Sequence, residues 1–373
     1  MMMGAWPLNY RRGKMKEYFA SFKKRNSSPE LARFVAIAFI LIGHCCVFSG
    51  YYPPESNLFG NSVFYFHDIL SQVGNGLFIA ILSYYLFSDS SSSKPTWKRI
   101  LSIYLPCLFY SLVMYMIFVG AGHVPSETII HQTFFPIIYN NYWFVRAYIL
   151  FLVIYPFYYK MLLLMKPRQH FIFMMVFFIS IMALHRHGDK LWGLFGAIEF
   201  LFIFTVIGFF KRIHPSKPKC WYVFFPFAIL GLVSLFAYVY ITLQVPDLNK
   251  YRGWMNNCVS LLVLPVVICL FYAFLSLPEF HLAPLNYVAR ATFGCYLING
   301  DTCNIQYWMG HMIRYFGGNV GSTGGIMIAW SIYFFGGLAI EMIRMPLFEL
   351  GHLGYNKVFH LIKDAVLAKK EAA

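Results

Sequence analysis

The stretch 30-ELARFVAIAFILIGHCC-46 opens on a glutamate and an arginine, then runs ten residues without a charge before it meets a histidine. A helix that packs against a soluble core keeps one polar face, and this stretch has none. About twenty apolar residues at about 1.5 Å of rise each cover the hydrocarbon thickness of a bilayer. The segment therefore reads as a membrane-spanning helix, and its histidine asks for a reason, because an ionisable group in lipid costs a few kcal/mol.

The rest of the chain repeats the pattern. Of 373 residues, 59% are hydrophobic and 12% charged, a balance far from that of soluble domains. Apolar windows of spanning length fall at 31–50, 63–87, 100–119, 142–164, 169–185, 191–210, 221–243, 254–277, 286–309 and 323–345. The expected fold is an all-α integral membrane bundle of about ten transmembrane helices. With the N-terminus inside, the cytoplasmic segments hold 24 Lys and Arg residues and the outer loops 5, so both termini are expected in the cytoplasm. The net charge of +15 then follows from topology and from attraction to anionic membrane lipid, and nucleic acid is not an expected partner.

No loop between windows is long enough for a separate domain. The expected organisation is a basic cytoplasmic segment over 1–30, a transmembrane domain over 31–345 and a cytoplasmic tail over 346–373. The first thirty residues lack an apolar core, so no cleaved signal peptide is expected. The tail 355-YNKVFHLIKDAVLAKKEAA-373 has the spacing of an interfacial helix, and 88-SDSSSSKP-95 reads as a flexible loop. Eight cysteines lie scattered without a CxxC pair and read as small core residues. No pair of helix-breaking segments recurs in two halves, which weakens a transporter built from inverted repeats.

Chemistry is then sought among the ionisable residues inside the windows: Arg33, His44, His67 with Asp68, Arg146, Glu199, Asp301, and Glu341 with Arg344. Eleven helical steps separate Arg33 from His44, a net rotation of about 20° and a rise of about 16 Å. Arg33, the small Ala36 and His44 thus share one stripe, with the cation near the cytoplasmic surface and the imidazole past the membrane's middle. An imidazole can take a proton from a hydroxyl, and a guanidinium forks onto phosphate. The alternatives are an interhelical hydrogen bond for His44 and a snorkelling anchor for Arg33.

Glu30, Arg33, Ala36 and His44, in the pattern R-x-x-A-x(7)-H with an acid three residues before the arginine, resemble the first span of membrane acyltransferase family 3. Further stretches are similar to that family's landmarks in the same order: 76-GLFIAILSYYLFS-88, 98-KRILSIYLPCLFYS-111, 142-YWFVRAYILFLVIYP-156 and 292-TFGCYLIN-299. Three positions depart from the family pattern: Ser83-Tyr84 stands for Ser-Gly, Ser102 for a second basic residue, and Asn299 for a late histidine. An asparagine hydrogen-bonds but does not titrate.

The resemblance implies a multi-pass protein of the bacterial inner membrane that moves an acyl group, usually acetyl, from acyl-CoA to a hydroxyl of a lipid-linked or exported polysaccharide. Acetyl-CoA would be a substrate, with no permanently bound cofactor, and polysaccharide assembly proteins are possible partners. In this frame His44 is the base or acyl carrier, and Arg33, Lys98 and Arg99 hold the phosphates of CoA. Trp143, Arg146, Glu199, Asn299, Asp301 and Glu30 are acceptor-side or structural polar residues, with Glu199 or Asp301 the expected partner of Arg146. A lipid-linked glycan flippase or exporter is the rival reading, since it shares buried charges and aromatic content. A catalytically silent relative that scaffolds polysaccharide assembly is the third.

Other motifs carry less. His67 and Asp68 are adjacent, so their side chains point about 100° apart on a helix and do not face each other. The loop 185-HRHGD-189 has metal-like spacing with no further clustered ligand, and no metal is expected. Neither a Gly-x-Ser-x-Gly elbow nor a P-loop occurs.

Overall fold

The computed structural model describes residues 17–48, 57–88, 96–185, 192–249 and 256–371, and every regular element among them is helical. The helices are α1 (Ser27–Val47), α2 (Leu58–Ser88), α3 (Thr96–Gly120), the short α4 (Glu127–Phe134), α5 (Trp143–Leu164), α6 (Pro167–His185), α7 (Trp192–Ile213), α8 (Trp221–Gln244), α9 (Val263–Leu275), α10 (Ala283–Gly300) and α11 (Gly310–Glu371). A helical turn at Pro246–Asn249 and a π-helix at Asn304–Met309 complete the path.

Among the described residues, six helices are long and apolar enough to cross a membrane: Ser27–Val47, Leu58–Phe87, Thr96–Gly120, Trp143–Leu164, Trp221–Gln244 and Thr323–Glu349. Pro167–Ala183 and Val263–Leu275 are shorter apolar helices. The bundle is built as lipid requires. Phe157, Leu164, Val233 and Ile343 face outward, while Asn75, Glu199, Asn299, Asp301 and Glu341 are buried. In water this arrangement would expose apolar surface and bury polar groups at a cost on both counts.

The core of the bundle is the antiparallel pair α1 and α2, onto which α7, α8, α9, α10 and α11 pack. Small residues allow the close approach. Ala36 is fully buried, and a Cβ added to Gly74 would lie 2.6 Å from the Ala36 carbonyl oxygen, so only glycine fits there. The start of α1 is stitched to the segment before α10: the Asn26 side chain caps it by accepting from the Ser28 amide at 3.1 Å, the Ser27 amide donates to the Phe280 carbonyl at 2.8 Å, and the Leu282 amide donates to Ser27 Oγ at 2.7 Å. This end of α1 is therefore fixed against α10.

Three windows differ in detail from the sequence expectation. Of the described part of 254–277, residues 256–277, only Val263–Leu275 is helical; Asn257 accepts from the Val259 amide at 3.0 Å and Ser260 Oγ from the Val263 amide at 3.3 Å, so side chains hold the chain in turns before α9. The window 286–309 is broken at Asp301, whose backbone is extended and whose carboxylate accepts from the Cys303 amide at 2.9 Å. The helix restarts beyond it and passes into π geometry at Asn304. The last window belongs to one 62-residue helix that runs on through the tail, with Pro346 inside it.

Candidate active site

Arg33 stands near the N-terminal end of α1, one turn above Glu30. Its Nη1 donates to both Glu30 oxygens, at 3.0 and 2.9 Å, and Arg25 approaches the same carboxylate at 3.8 Å. Nε and Nη2 of Arg33 have no protein hydrogen-bond partner among the described residues, and the guanidinium lies over the Tyr85 ring at 5.9 Å. The i, i+3 spacing holds the fork with one nitrogen occupied and the rest of its donors free for a ligand. Arg99, from the start of α3, comes to the same place: Arg33 and Arg99 both lie within electrostatic reach of the Tyr148 hydroxyl on α5. Lys98 does not join them. It is exposed and sits over the Trp97 ring at 5.4 Å, so two of the three expected cations converge.

His44 lies about 16 Å further along α1. Its ring is half-buried, and Nδ1 is buried without a hydrogen-bond partner. The ring packs 5.4 Å from Phe48 and 6.1 Å from Tyr296 of α10. From Tyr296 a column of rings leads back toward the arginines: Tyr296 to Phe144 at 6.0 Å, Phe144 to Phe200 at 5.1 Å, and Phe200 to Tyr148 at 5.5 Å, nearly parallel at 22°. The stripe read on α1 thus faces an aromatic wall made by α5, α7 and α10. An unpaired polar nitrogen inside such a wall is costly unless a ligand or solvent reaches it.

Beside Tyr296 lies a polar cluster that the sequence does not single out as a unit. Asp301 Oδ2 accepts from Asn141 Nδ2 at 2.9 Å and from the Tyr142 hydroxyl at 3.0 Å. Asn141 Nδ2 also donates to Ser111 Oγ at 3.0 Å, and its Oδ1 accepts from the Thr302 amide at 2.9 Å and hydroxyl at 2.7 Å. One amide side chain thereby ties α3, the start of α5 and the break after α10. Asp301 is a fully satisfied structural acid. The only signal for its partners was the polar Asn-Asn-Tyr run just before the apolar start of α5.

The remaining residues fall into place singly. Arg146 is half-buried and forms no ion pair among the described residues; its expected partners are engaged elsewhere, Asp301 as above and Glu199 with the Cys258 amide and thiol. The break after α10 turns Asp301 toward Asn141 instead. Trp143 packs on Phe144 at 5.7 Å and against the α7 backbone at Gly196. Asn299 faces α11: Nδ2 donates to the Cys295 carbonyl at 2.7 Å and the Tyr333 carbonyl at 3.4 Å, while Oδ1 is buried without a partner.

Asp68 accepts from Asn256 Nδ2 at 3.2 Å. Glu341, Arg344 and Tyr110 form a buried knot in which the Tyr110 hydroxyl donates to Glu341, and Arg344 Nε and Nη2 reach the same carboxylate at 2.6 Å each. Gly294 leaves the room for that carboxylate, since a Cβ there would collide with it. Residues 186–189 of the HRHGD motif and 89–95 of the serine-rich run lie outside the described residues. No group of three His, Cys, Asp or Glu side chains able to hold a metal occurs among the described residues.

Comparison with curated proteins and with solved structures returns no match. The family model of the acyltransferase domain, acyltransferase family 3, matches residues 26–343, from the cap of α1 to the turn before Arg344. That match contains α1 to α10, the Arg33–His44 stripe, the aromatic wall and the Asp301 cluster, and it covers most of the chain. This chain is a membrane-helix protein that belongs to acyltransferase family 3.

Proposed function

We propose that the protein transfers an acyl group, acetyl in the first instance, from acyl-CoA to a hydroxyl of a lipid-linked or exported polysaccharide at the bacterial inner membrane. In this reading the chain crosses about ten times with both termini in the cytoplasm, as the 24 to 5 distribution of basic residues favours. The observation that carries it is the pairing of Arg33 and Arg99 at Tyr148 with an unpartnered His44 Nδ1 at the far end of the same wall of rings.

The two guanidiniums bind the CoA phosphates by charge-assisted hydrogen bonds, using the donors that Glu30 leaves free. The thioester end of the donor extends along the wall toward His44. Nδ1 accepts the proton of the acceptor hydroxyl as its oxygen attacks the thioester carbonyl carbon. The carbon–sulfur bond breaks, and the departing CoA sulfur takes the proton back from the imidazole, which leaves an ester, free CoA and neutral His44. Acid–base help of this kind supplies about 10²–10⁴-fold in rate. Asn299, packed on α11, serves this scheme as a fixed hydrogen-bonding group with no proton to exchange.

The test is mass spectrometry of the host's surface glycan with wild-type protein and with His44→Ala. Loss of the acetyl increment in the variant supports the reading, and an unchanged glycan refutes it. Purified protein in nanodiscs with radiolabelled acetyl-CoA and the deacetylated glycan separates transfer from transport, since a flippase would move glycan without incorporating label.

A further inference from the structure

Helix α2 carries a polar group that neither the packing nor the acyl-transfer scheme uses. Two buried side-chain oxygens of this helix, Asn75 Oδ1 and Ser83 Oγ, have no hydrogen-bond partner among the described residues, and Asn75 is 4% exposed. A buried amide oxygen without a donor is costly, and native structures keep one where a ligand or water completes it. The register of α2 separates the two. Phe78 packs at 5.8 Å on Phe144, the ring of the aromatic wall that also meets Tyr296. At about 100° per residue, Ser71, Asn75 and Tyr85 lie within about 60° of Phe78, whereas Ser83 lies about 140° away. Gly76, against Val267 and Cys258, marks the opposite face.

Contacts with α1 supply the depth. A Cβ added to Gly43 would collide with Ser71, so Ser71 is level with the residue beside His44. Toward the other end of the stripe, Arg33 lies over the Tyr85 ring. Asn75 is four residues from Ser71 and ten from Tyr85, about 6 Å and about 15 Å along the axis. The amide therefore stands on the wall side of α2, between the imidazole and the guanidinium and about one helical turn from the level of His44.

We propose that Asn75 is a donor-binding residue whose Oδ1 accepts a hydrogen bond from an amide N–H in the pantetheine arm of acyl-CoA; this rests on the acyl-CoA donor proposed above. With the phosphates at Arg33 and Arg99 and the thioester at His44, the stretch of donor between them is the pantetheine arm, which carries two amide N–H groups. The amide nearer the sulfur is three bonds from it, about 4 Å when extended. The acyl carbon on that sulfur has to meet the hydroxyl held at His44 Nδ1, so this N–H comes about one turn short of His44, at the level of Asn75. An amide drawn out of water into a wall of rings needs a partner, and Asn75 Oδ1 is a buried acceptor there that no protein donor occupies.

The test uses full-length protein in nanodiscs with the deacetylated glycan and two radiolabelled donors. One is acetyl-CoA, and the other is its analogue with an ester oxygen in place of the N–H of the amide nearer the sulfur. Asn75→Leu is expected to raise the KM for acetyl-CoA about tenfold with the KM for glycan unchanged. Wild type is expected to show the same tenfold rise with the ester analogue, and the variant no further loss with it, because both changes delete one hydrogen bond. Equal KM values for the two donors in wild type overturn the proposal, and that comparison needs no folded variant. So do additive losses in the variant, or a rise confined to the KM for glycan, which would put Asn75 on the acceptor side. A wild type that incorporates no label from either donor overturns the acyl-CoA assignment and this proposal together, whereas transfer with equal KM values overturns this proposal alone.

Discussion

Replacing Asn141 by alanine tests whether one amide organises the end of the bundle that holds His44. The variant loses four hydrogen bonds, to Ser111 Oγ, Asp301 Oδ2, the Thr302 amide and the Thr302 hydroxyl, at 2.7–3.0 Å. A net hydrogen bond is worth about 0.5–1.5 kcal/mol in soluble proteins and on average about 0.6 kcal/mol between membrane helices. Four of them sum to about 2–6 kcal/mol, about 2.4 kcal/mol at the membrane-helix average. Asp301 keeps Tyr142 and the Cys303 amide, so its carboxylate is not stripped of partners and the larger penalty of an unpaired buried charge does not apply. Asn141→Asp is expected to cost more than Asn141→Ala, because it removes the donor and sets a second carboxylate within hydrogen-bond distance of Asp301. Reversible unfolding in mixed micelles with increasing dodecyl sulfate, followed by near-ultraviolet circular dichroism, measures both. An alanine variant within about 0.5 kcal/mol of wild type, or an aspartate variant no worse than alanine, refutes the reasoning.

Four further outcomes are expected. His44→Ala lowers acyl transfer by about 10²–10⁴-fold in a radiolabel assay, and its unfolding midpoint falls only by the ring packing lost on Phe48 and Tyr296, with no hydrogen bond lost because Nδ1 holds none. Arg33→Ala or Arg99→Ala raises the KM for acyl-CoA by about tenfold or more, the worth of a lost charge-assisted contact, whereas Lys98→Ala, on its exposed tryptophan, leaves it unchanged in the same kinetics. Tyr110→Phe removes the hydroxyl that links Glu341 and Arg344 and costs about 1–2 kcal/mol by mixed-micelle unfolding. Gly74→Leu prises α1 from α2 at the Ala36 carbonyl and yields protein that no longer runs as a single species on size exclusion, whereas Gly120→Ala, where an added Cβ meets nothing within 4 Å, behaves as wild type.

The legible part of this protein was whatever depends on spacing along one chain. The apolar run after Arg33 predicted α1 to within a few residues, and the eleven-step separation put Arg33 and His44 on one face of it, because helical geometry is local. The same holds for the i, i+3 pairs Glu30–Arg33 and Glu341–Arg344, whose residues were singled out by their charge in an apolar window. Contacts between windows were not legible. The break at Asp301 falls in the turn-like run Asn299-Gly300-Asp301-Thr302 inside the apolar window 286–309, but the partners that stabilise it, Asn141 and Tyr142, lie 160 and 159 residues away. Lys98 and Arg99 were both expected at the CoA phosphates, and only the packing of α3 against α5 turned Arg99 inward and left Lys98 on Trp97.

Composition and helical periodicity by themselves determined that the chain is a membrane helix bundle with a histidine and an arginine on one stripe, because burial in lipid admits few alternatives for an apolar backbone. The tertiary structure decided what the stripe faces. It set the aromatic wall from Tyr148 to Tyr296 and denied Arg146 the partners it had been expected to find, since both depend on which helix faces which, and no single window carries that information.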